Sequence, residues 1–331
     1  MFSIWDAESF VLSLTAFTLN TDRYALYTSR DMEKHIIEEP LAGVNWRVVY
    51  NAKSKEFHDL VKAENFHTLD MEDCSHPRRL AKVVDRPEYM FIVVKMARHD
   101  AKAGHLTFEN IDIFINAGTL VTVVENGSPM PERIVRRFAD KTIKPSPLHI
   151  GYALLDEIVD EYLVMLDAVG EAVNALEGSV TKHPSSALLQ RIFSAKRSLI
   201  DFRRNAAAMR EVVNALLRQQ SIEKDHELLN YFRDLYGHTI QVIEFIETYR
   251  ELLTESTEIY LSSVANRTND IVKVLTIYGT IAVPPVIITS FYGMNIRLPF
   301  QQFSGVVLPI SIFMIACMIG ILAYFRKKEW F

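Results

Sequence analysis

The sequence predicts an α+β membrane protein, with a cytosolic α/β domain, a long helical stalk and two transmembrane helices at the C-terminal end. Three observations carry this prediction. Short β-branched and aromatic runs fill roughly the first 140 residues, a pattern typical of strands. Walking back from Lys273, no glycine occurs before Gly237 and no proline before Pro184, so nothing punctuates a helix there. Two uncharged apolar stretches then close the chain, Val274 to Phe291 and Val306 to Phe325, each near the ~20 residues that cross about 30 Å of hydrocarbon.

In the N-terminal part, WRVVYNA, MFIVVKMARH, HLTFENIDIFIN and TLVTVVEN read as strands, and Asn116-Ala117-Gly118 as a hairpin turn between the last two. KEFHDLVKAEN is a short helix between the first two strands. Leu148 to His183 and Ser185 to about Gln220 form two helices folded into an antiparallel pair, with Pro184 and the serines after it supplying the turn and a new N-cap.

A long helix is predicted from Asp225 to Phe291. At 1.5 Å per residue it would measure on the order of 100 Å, about three membrane thicknesses. Its apolar residues fall in two heptad-spaced series: Leu228, Leu235, Val242 and Tyr249, then Phe232, Ile246, Leu253 and Tyr260. Thr239 and Ser256 interrupt the seam. A seam of this kind suits identical helices packed around an axis, or one helix lying on its own domain.

The flanks of the apolar stretches orient them. Lys273 precedes the first, Arg326, Lys327 and Lys328 follow the second, and the connecting loop carries only Arg297. The positive-inside bias therefore puts both termini in the cytoplasm. Trp330 and Phe331 suit the interface. The resulting organisation is an α/β domain over 1–145, a helical pair and stalk over 146–270, a first membrane helix over 271–295, an outer loop over 296–305, a second membrane helix over 306–325 and a basic tail over 326–331.

Composition narrows the function. With 36 basic and 41 acidic residues and a net charge of −5, the chain offers no overall electrostatic footprint for nucleic acid. The two cysteines, Cys74 and Cys317, are too few and too far apart for a disulfide framework and point to a reducing compartment. The opening MFSIWDAESF lacks the charge and apolar pattern of a cleavable signal. No phosphate-binding glycine loop and no nucleophile constellation is found, so an enzyme is not expected. His67 and His76 lie near Cys74, but their spacing matches no standard zinc pattern, and scattered histidines are expected.

The run NDIVKVLTIYGTIAVPPVIITSFYGMN, Asn269 to Asn295, ends in Gly293-Met294-Asn295 and is followed by a second span and a basic tail. In this setting it resembles the CorA family of divalent-cation channels. FHTLDMEDC, YMFIVVKM, YFRDLYGHTIQ and IYLSSVANRTN match as well, and the likeness runs from about Trp46 to the end. It implies a homopentameric funnel with a cytosolic α/β/α domain, multi-pass in a plasma membrane, the inner one of a prokaryote. The first span of each subunit lines a pore and the second faces lipid.

Within that likeness, Gly293, Met294 and Asn295 form the selectivity filter, with Tyr292 bracing it. Magnesium holds its water tightly and demands octahedral geometry, so five neutral carboxamide oxygens can meet the hydrated ion without trapping it. Asn269, Val272, Leu275, Gly279, Val283, Val286 and Ser290 fall on the pore side, at the spacing of three and four that one helical face requires. Val272, Leu275 and Val283 make an apolar gate that blocks ions by dewetting. Pro284 and Pro285 leave the carbonyls of Thr280 and Ile281 without their helical donors, which a membrane tolerates where they line water. Regulation by cytosolic magnesium is assigned to Glu72, Asp73, Asp156, Asp234 and Glu258, with Asp73 and Asp234 the leading pair.

Two departures bear on the ion. The loop IRLPFQQFSG carries an arginine and no acid where magnesium-transporting members have an acidic segment, and Val286 replaces a frequent pore threonine. Magnesium is the leading cargo and regulator. Zinc, cobalt or nickel transport, or a non-conducting membrane scaffold or sensor, are the alternatives.

Overall fold

The computed structural model describes residues 36–41, 44–76, 80–100, 105–124, 130–139, 146–182, 184–294, 305, 307–328 and 330. The chain divides into two compact units, residues 1–256 and 257–331.

The first unit is built on a six-stranded sheet. Its strands are β1 (Ile36–Leu41), β2 (Val44–Val49), β3 (Lys82–Asp85), β4 (Met90–Asp100), β5 (His105–Ile115) and β6 (Thr119–Val123), in the order β1-β2-β6-β5-β4-β3. All neighbours are antiparallel except β2 and β6, which run parallel with Trp46 opposite Leu120. At the β5–β6 hairpin, Asn116 Oδ1 accepts from the backbone N–H of Gly118 at 3.0 Å and of Thr119 at 2.6 Å. The side chain thus closes the turn that its sequence announces.

Alternation along the strands sends side chains to both faces, and both faces are covered. On one side α1 (Lys55–Ala63) and α2 (Thr68–Ser75) bury Phe57, Leu60, Val61 and Phe66 against Val49, Phe91, Val93, Phe114, Val121 and Val123. Phe114 stacks between Phe66 and Phe91, each ring 4.4 Å away. Ser54 caps α1, its hydroxyl accepting from the N–H of Phe57 at 3.1 Å. On the other side lie α3 (Met130–Ala139), α4 (Pro147–Lys182) and α5 (Ser186–Leu216). Tyr162 of α4 donates to the Lys95 carbonyl of β4. At Gly151 a Cβ would stand 2.6 Å from the Ile115 side chain, so the glycine sets how closely α4 lies on β5. Trp46, with none of its surface exposed, donates its indole N–H to Thr122 Oγ1 at 3.0 Å. Helices on both faces of one sheet make the α/β/α arrangement expected from the sequence.

The helical pair also follows the reading, with Ser185 accepting from the N–H of Leu188 at 3.2 Å to start α5. After the single turn α6 (Gln220–Glu223), Asp225 caps α7 (His226–Tyr292, 67 residues) by accepting from Glu227 and Leu228. The seam of α7 is buried by the chain itself. Leu228, Phe232, Leu235, Val242, Ile246 and Leu253 are at most 2% exposed, and so are Thr239 and Ser256. Tyr152 of α4 stacks on Tyr231 at 5.2 Å and meets Phe232 edge-on, and a Cβ at Gly170 would stand 2.8 Å from the Tyr249 ring. Burial up to Ser256 therefore needs no second copy of the helix, and of the two packings its heptads allow, this part of α7 takes the one in which the helix lies on its own domain. The two polar seam residues satisfy themselves: Thr239 donates to the Tyr236 carbonyl at 2.7 Å and Ser256 to that of Leu252 at 2.8 Å.

In the second unit, α7 continues to Tyr292 and α8 spans Val307–Lys327. Both contain windows long and apolar enough to cross a membrane, and only 6% and 0% of those windows are buried within the chain. A soluble core helix would hide such a surface, so lipid or further subunits must cover these. Trp330 packs its ring 5.2 Å from that of Phe325.

A buried polar knot lies beside the aromatic stack. Asp70, 1% exposed, accepts from Arg86 Nη2 at 2.9 Å and from the Tyr89 hydroxyl at 2.6 Å, and that hydroxyl accepts from the N–H of His67 at 2.8 Å. Burial pushes the Asp70 carboxyl up, but the bonds from Arg86 and Tyr89 outweigh it and hold it below the usual carboxylate value. A depressed acid stabilises the fold above its unfolded value near 3.8 and loses that contribution as pH falls through the folded value. Replacing Asp70→Asn should flatten the acid limb of the pH–stability curve measured by thermal unfolding. Tyr89→Phe, which removes one bond to a buried carboxylate, should cost about 2 kcal/mol near neutral pH.

Candidate functional site

The acids singled out from the sequence occupy different surroundings. Glu72 and Asp73 are carried by α2, whose first N–H groups are capped by His67, its Nδ1 accepting from Leu69 at 3.2 Å. Glu72 is mostly exposed, with His76 Nε2 at 3.8 Å. Asp73 is held by the ammonium of Lys82 at the start of β3. A cation arriving at Asp73 would meet a carboxylate that already has a positive partner, which the sequence reading did not anticipate. Cys74 is buried and donates its thiol to the Asp70 carbonyl at 3.2 Å. His67 thus caps α2, Cys74 bonds to the Asp70 carbonyl and His76 lies beside Glu72, each with its own partner.

Asp156 lies on α4, 5% exposed, and pairs with Arg137 of α3. One turn along α4 is Asp160, and across from them on α7 is His238. Asp156, Asp160 and His238 each bring a ligand atom to within 4.8 Å of the others. The Asp160 carboxyl is pushed above its ordinary range, first by desolvation and then by the Asp156 charge, with Arg137 pulling the other way. Glu157 is raised chiefly by burial, opposed by Arg133, whose Nε lies 2.7 Å from it. Asp234, one turn before His238 on α7, is largely exposed, its Oδ2 3.9 Å from His238 Nε2. Glu258 is exposed on α7 in the second unit. Among the described residues, Asp156 alone of the five predicted regulatory acids joins a group of metal-ligating side chains within the chain, and its partners Asp160 and His238 were missed. The signal was the i, i+4 spacing of Asp156 with Asp160 and of Asp234 with His238, which places each pair on one helical face.

On α7 in the second unit, Asn269, Val272, Leu275, Gly279, Val283, Val286 and Ser290 are all exposed in the single chain. Ile271, Val274, Tyr278 and Ile287 on other faces are exposed too, so exposure alone does not separate a pore face from a lipid face. Helical structure runs unbroken through Pro284 and Pro285. Just beyond them, Thr289 donates its hydroxyl to the Pro285 carbonyl at 2.7 Å. At the end of α7 the N–H of Gly293 donates to the Thr289 carbonyl at 2.9 Å, and a Cβ at 293 would stand 3.0 Å from that same oxygen. Close approach therefore favours glycine there. Tyr292 is partly exposed, its ring 5.8 Å from that of Phe291. Asn295, Arg297 and Phe331 lie outside the described residues.

A sheet clothed by helices on both faces, a 67-residue helix with an uncovered apolar end and a second uncovered apolar helix define a membrane protein with an N-terminal α/β/α domain. The chain belongs to the CorA-like Mg2+ transporter protein family, whose profile matches residues 42–327. It is 32% identical over 271 residues to the cobalt/magnesium transport protein CorA of Thermotoga maritima, covering 80% of this chain and 76% of that protein. Its counterpart in Methanocaldococcus jannaschii is 26% identical over 293 residues, covering 86% and 90%. The complete structure of the Methanocaldococcus jannaschii CorA magnesium transporter has the same fold, with a TM-score of 0.78 at 24% identity, covering 89% of this chain and 94% of that one.

Breaking the Arg137–Asp156 pair should show how much the buried acid depends on its counter-ion. Arg137→Gln should destabilise the purified protein by about 3 kcal/mol, with Arg137→Lys recovering part of the loss. Chemical or thermal unfolding measures both.

Proposed function

We propose that this chain transports divalent metal ions, magnesium first, through a pore on the axis of a homopentamer. The observation that carries this reading is the Gly293-Met294-Asn295 sequence that follows α7, whose apolar last part is left uncovered by its own chain, in a member of a magnesium-transporter family. A surface of that kind requires partners, and five copies would give it both neighbours and an axial passage. Asn269, Val272, Leu275, Gly279, Val283, Val286 and Ser290 would face that passage. Tyr292, Gly293, Met294 and Asn295 would form its outer ring, where carboxamide oxygens meet the hydrated ion. The protein would sit in a prokaryotic inner membrane with both termini in the cytoplasm.

The residue divisions given above serve the same reading: 1–145 for the cytosolic α/β domain, 146–270 for the helical pair and stalk, 271–295 for the pore helix, 296–305 for the outer loop, 306–325 for the lipid-facing helix and 326–331 for the tail. Cytosolic magnesium would close the pore by binding between subunits at Glu72, Asp73, Asp156, Asp234 and Glu258. Bound ions screen the repulsion of facing acids and couple site to gate. Zinc, cobalt or nickel as cargo is the second reading, favoured by the arginine and the missing acids of the outer loop.

Asn295→Ala in proteoliposomes should cut potential-driven magnesium flux at least tenfold, and unchanged flux would overturn the filter assignment. One-ion-at-a-time flux through the wild-type protein separates the two cargo readings and exposes a non-conducting scaffold. Asp73→Ala with Asp234→Ala should keep the channel open at high internal magnesium. Lys82→Met should do the opposite: freed from its ammonium partner, Asp73 should close the channel at lower internal magnesium.

A further inference from the structure

The helix that carries Glu72 and Asp73 rests little apolar surface on the core. Of the eight residues of α2 only Asp70 and Cys74 are buried, with Met71 partly so, and two turns of helix are marginal without outside support. His67 ties down the first turn. Its carbonyl accepts from the N–H groups of Asp70 at 3.0 Å and Met71 at 3.2 Å, its Nδ1 accepts from that of Leu69 at 3.2 Å, and its own N–H donates to the Tyr89 hydroxyl. A backbone N–H can only donate, so Nδ1 carries the lone pair and the capping imidazole is neutral, with its proton on Nε2. Protonation would set a second N–H against that of Leu69 and a positive charge at the positive end of the helix. The ring is exposed, so protons reach it from water. Among the described residues, the charged and titratable groups around it are Asp70 from its own helix, Arg86 from the β3–β4 connection and Tyr89 from the entry to β4. Asp70 is already bonded to the other two. Glu88, in the same connection, is taken up by Asn65 at 2.9 Å.

We propose that His67 is a positioning residue for the regulatory acids: as a neutral cap it holds α2 so that Glu72 and Asp73 meet cytosolic magnesium, and protons, by removing the cap, weaken closure of the pore. The inference rests on the regulatory reading given above. Histidine is the side chain whose ordinary charge change falls between about pH 5 and 8, so a cap of this kind responds near neutral pH. Linkage fixes the sign. The capped form binds one proton fewer, so magnesium, which favours that form, should act best at high pH and lose effect as pH falls; bound magnesium should in turn drive a proton from the ring. Two other histidines stand nearer the acids, His76 at 3.8 Å from Glu72 and His238 at 3.9 Å from Asp234. They are the rival proton sensors.

The test uses the purified full-length protein. In proteoliposomes, the internal magnesium that half-closes the channel should rise about fivefold more between pH 8 and pH 6 in the wild type than in His67→Asn, whose amide caps a helix without titrating. His67→Ala, uncapped at every pH, should already need about fivefold more magnesium at pH 8. Independently of conduction, amide hydrogen exchange over residues 68–75, corrected for its intrinsic pH dependence, should quicken about fivefold from pH 8 to pH 6 in the wild type and stay level in His67→Asn. His76→Gln and His238→Gln should both keep the wild-type response. Equal pH dependence in the wild type and His67→Asn, in flux or in exchange, or its loss in His76→Gln or His238→Gln instead, would overturn the proposal. Wild-type flux that internal magnesium closes at no pH would overturn the regulatory reading and this proposal with it, a result told apart from the failure of His67 because it appears before any residue is replaced.

Discussion

The first half of α7 depends on one contact, the burial of its apolar seam by α4 and α5 of the same chain. Tyr231, Phe232 and Tyr249 meet Tyr152 and the groove at Gly170, and Arg203 of α5 pairs with Glu247. Each fully buried Leu, Ile or Val on that seam contributes roughly 1.5–3 kcal/mol relative to exposure, far more than the surface ion pair beside it. The seam tolerates Thr239 and Ser256 because each hydroxyl turns back to its own helix and arrives already satisfied. Dry contact fixes where the acids of α4 and α7 stand, and so where any ion they bind can sit.

Periodicity made most of this legible. The strands β2, β4, β5 and β6, the helix α1, the pair α4 and α5, and the limits of α7 and α8 follow from alternation, heptads, caps and uncharged length. What escaped was short or non-local. β1 and β3 are only six and four residues long, and the parallel pairing of β2 with β6 joins segments some 70 positions apart, which no local pattern encodes. The heptads of α7 stated that a stripe must be buried but not what buries it, because a neighbouring copy and a neighbouring helix ask for the same apolar residues.

The candidate site divides in a similar way. Acids at Asp73, Asp156 and Asp234 were visible as residue types at matched positions, yet their counter-charges were not. Lys82 reaches Asp73 from the strand after α2, and Arg137 reaches Asp156 from α3; both pairings are tertiary. His238 carries no special neighbour in sequence beyond Asp234, and its meeting with Asp156 and Asp160 exists only because α4 and α7 lie side by side.

Two adjacent prolines near the end of α7 remove two rungs from a ladder that otherwise holds the helix as one rod. A rod loaded along its length yields where it has fewest cross-ties, so displacement delivered from below should concentrate at this turn instead of spreading along the whole shaft. The Thr289 hydroxyl, bonded to the Pro285 carbonyl, splints the turn beyond it. The compliant turn therefore sits only a few residues beneath the glycine at the tip, where a small angular change produces its motion without unwinding the helix.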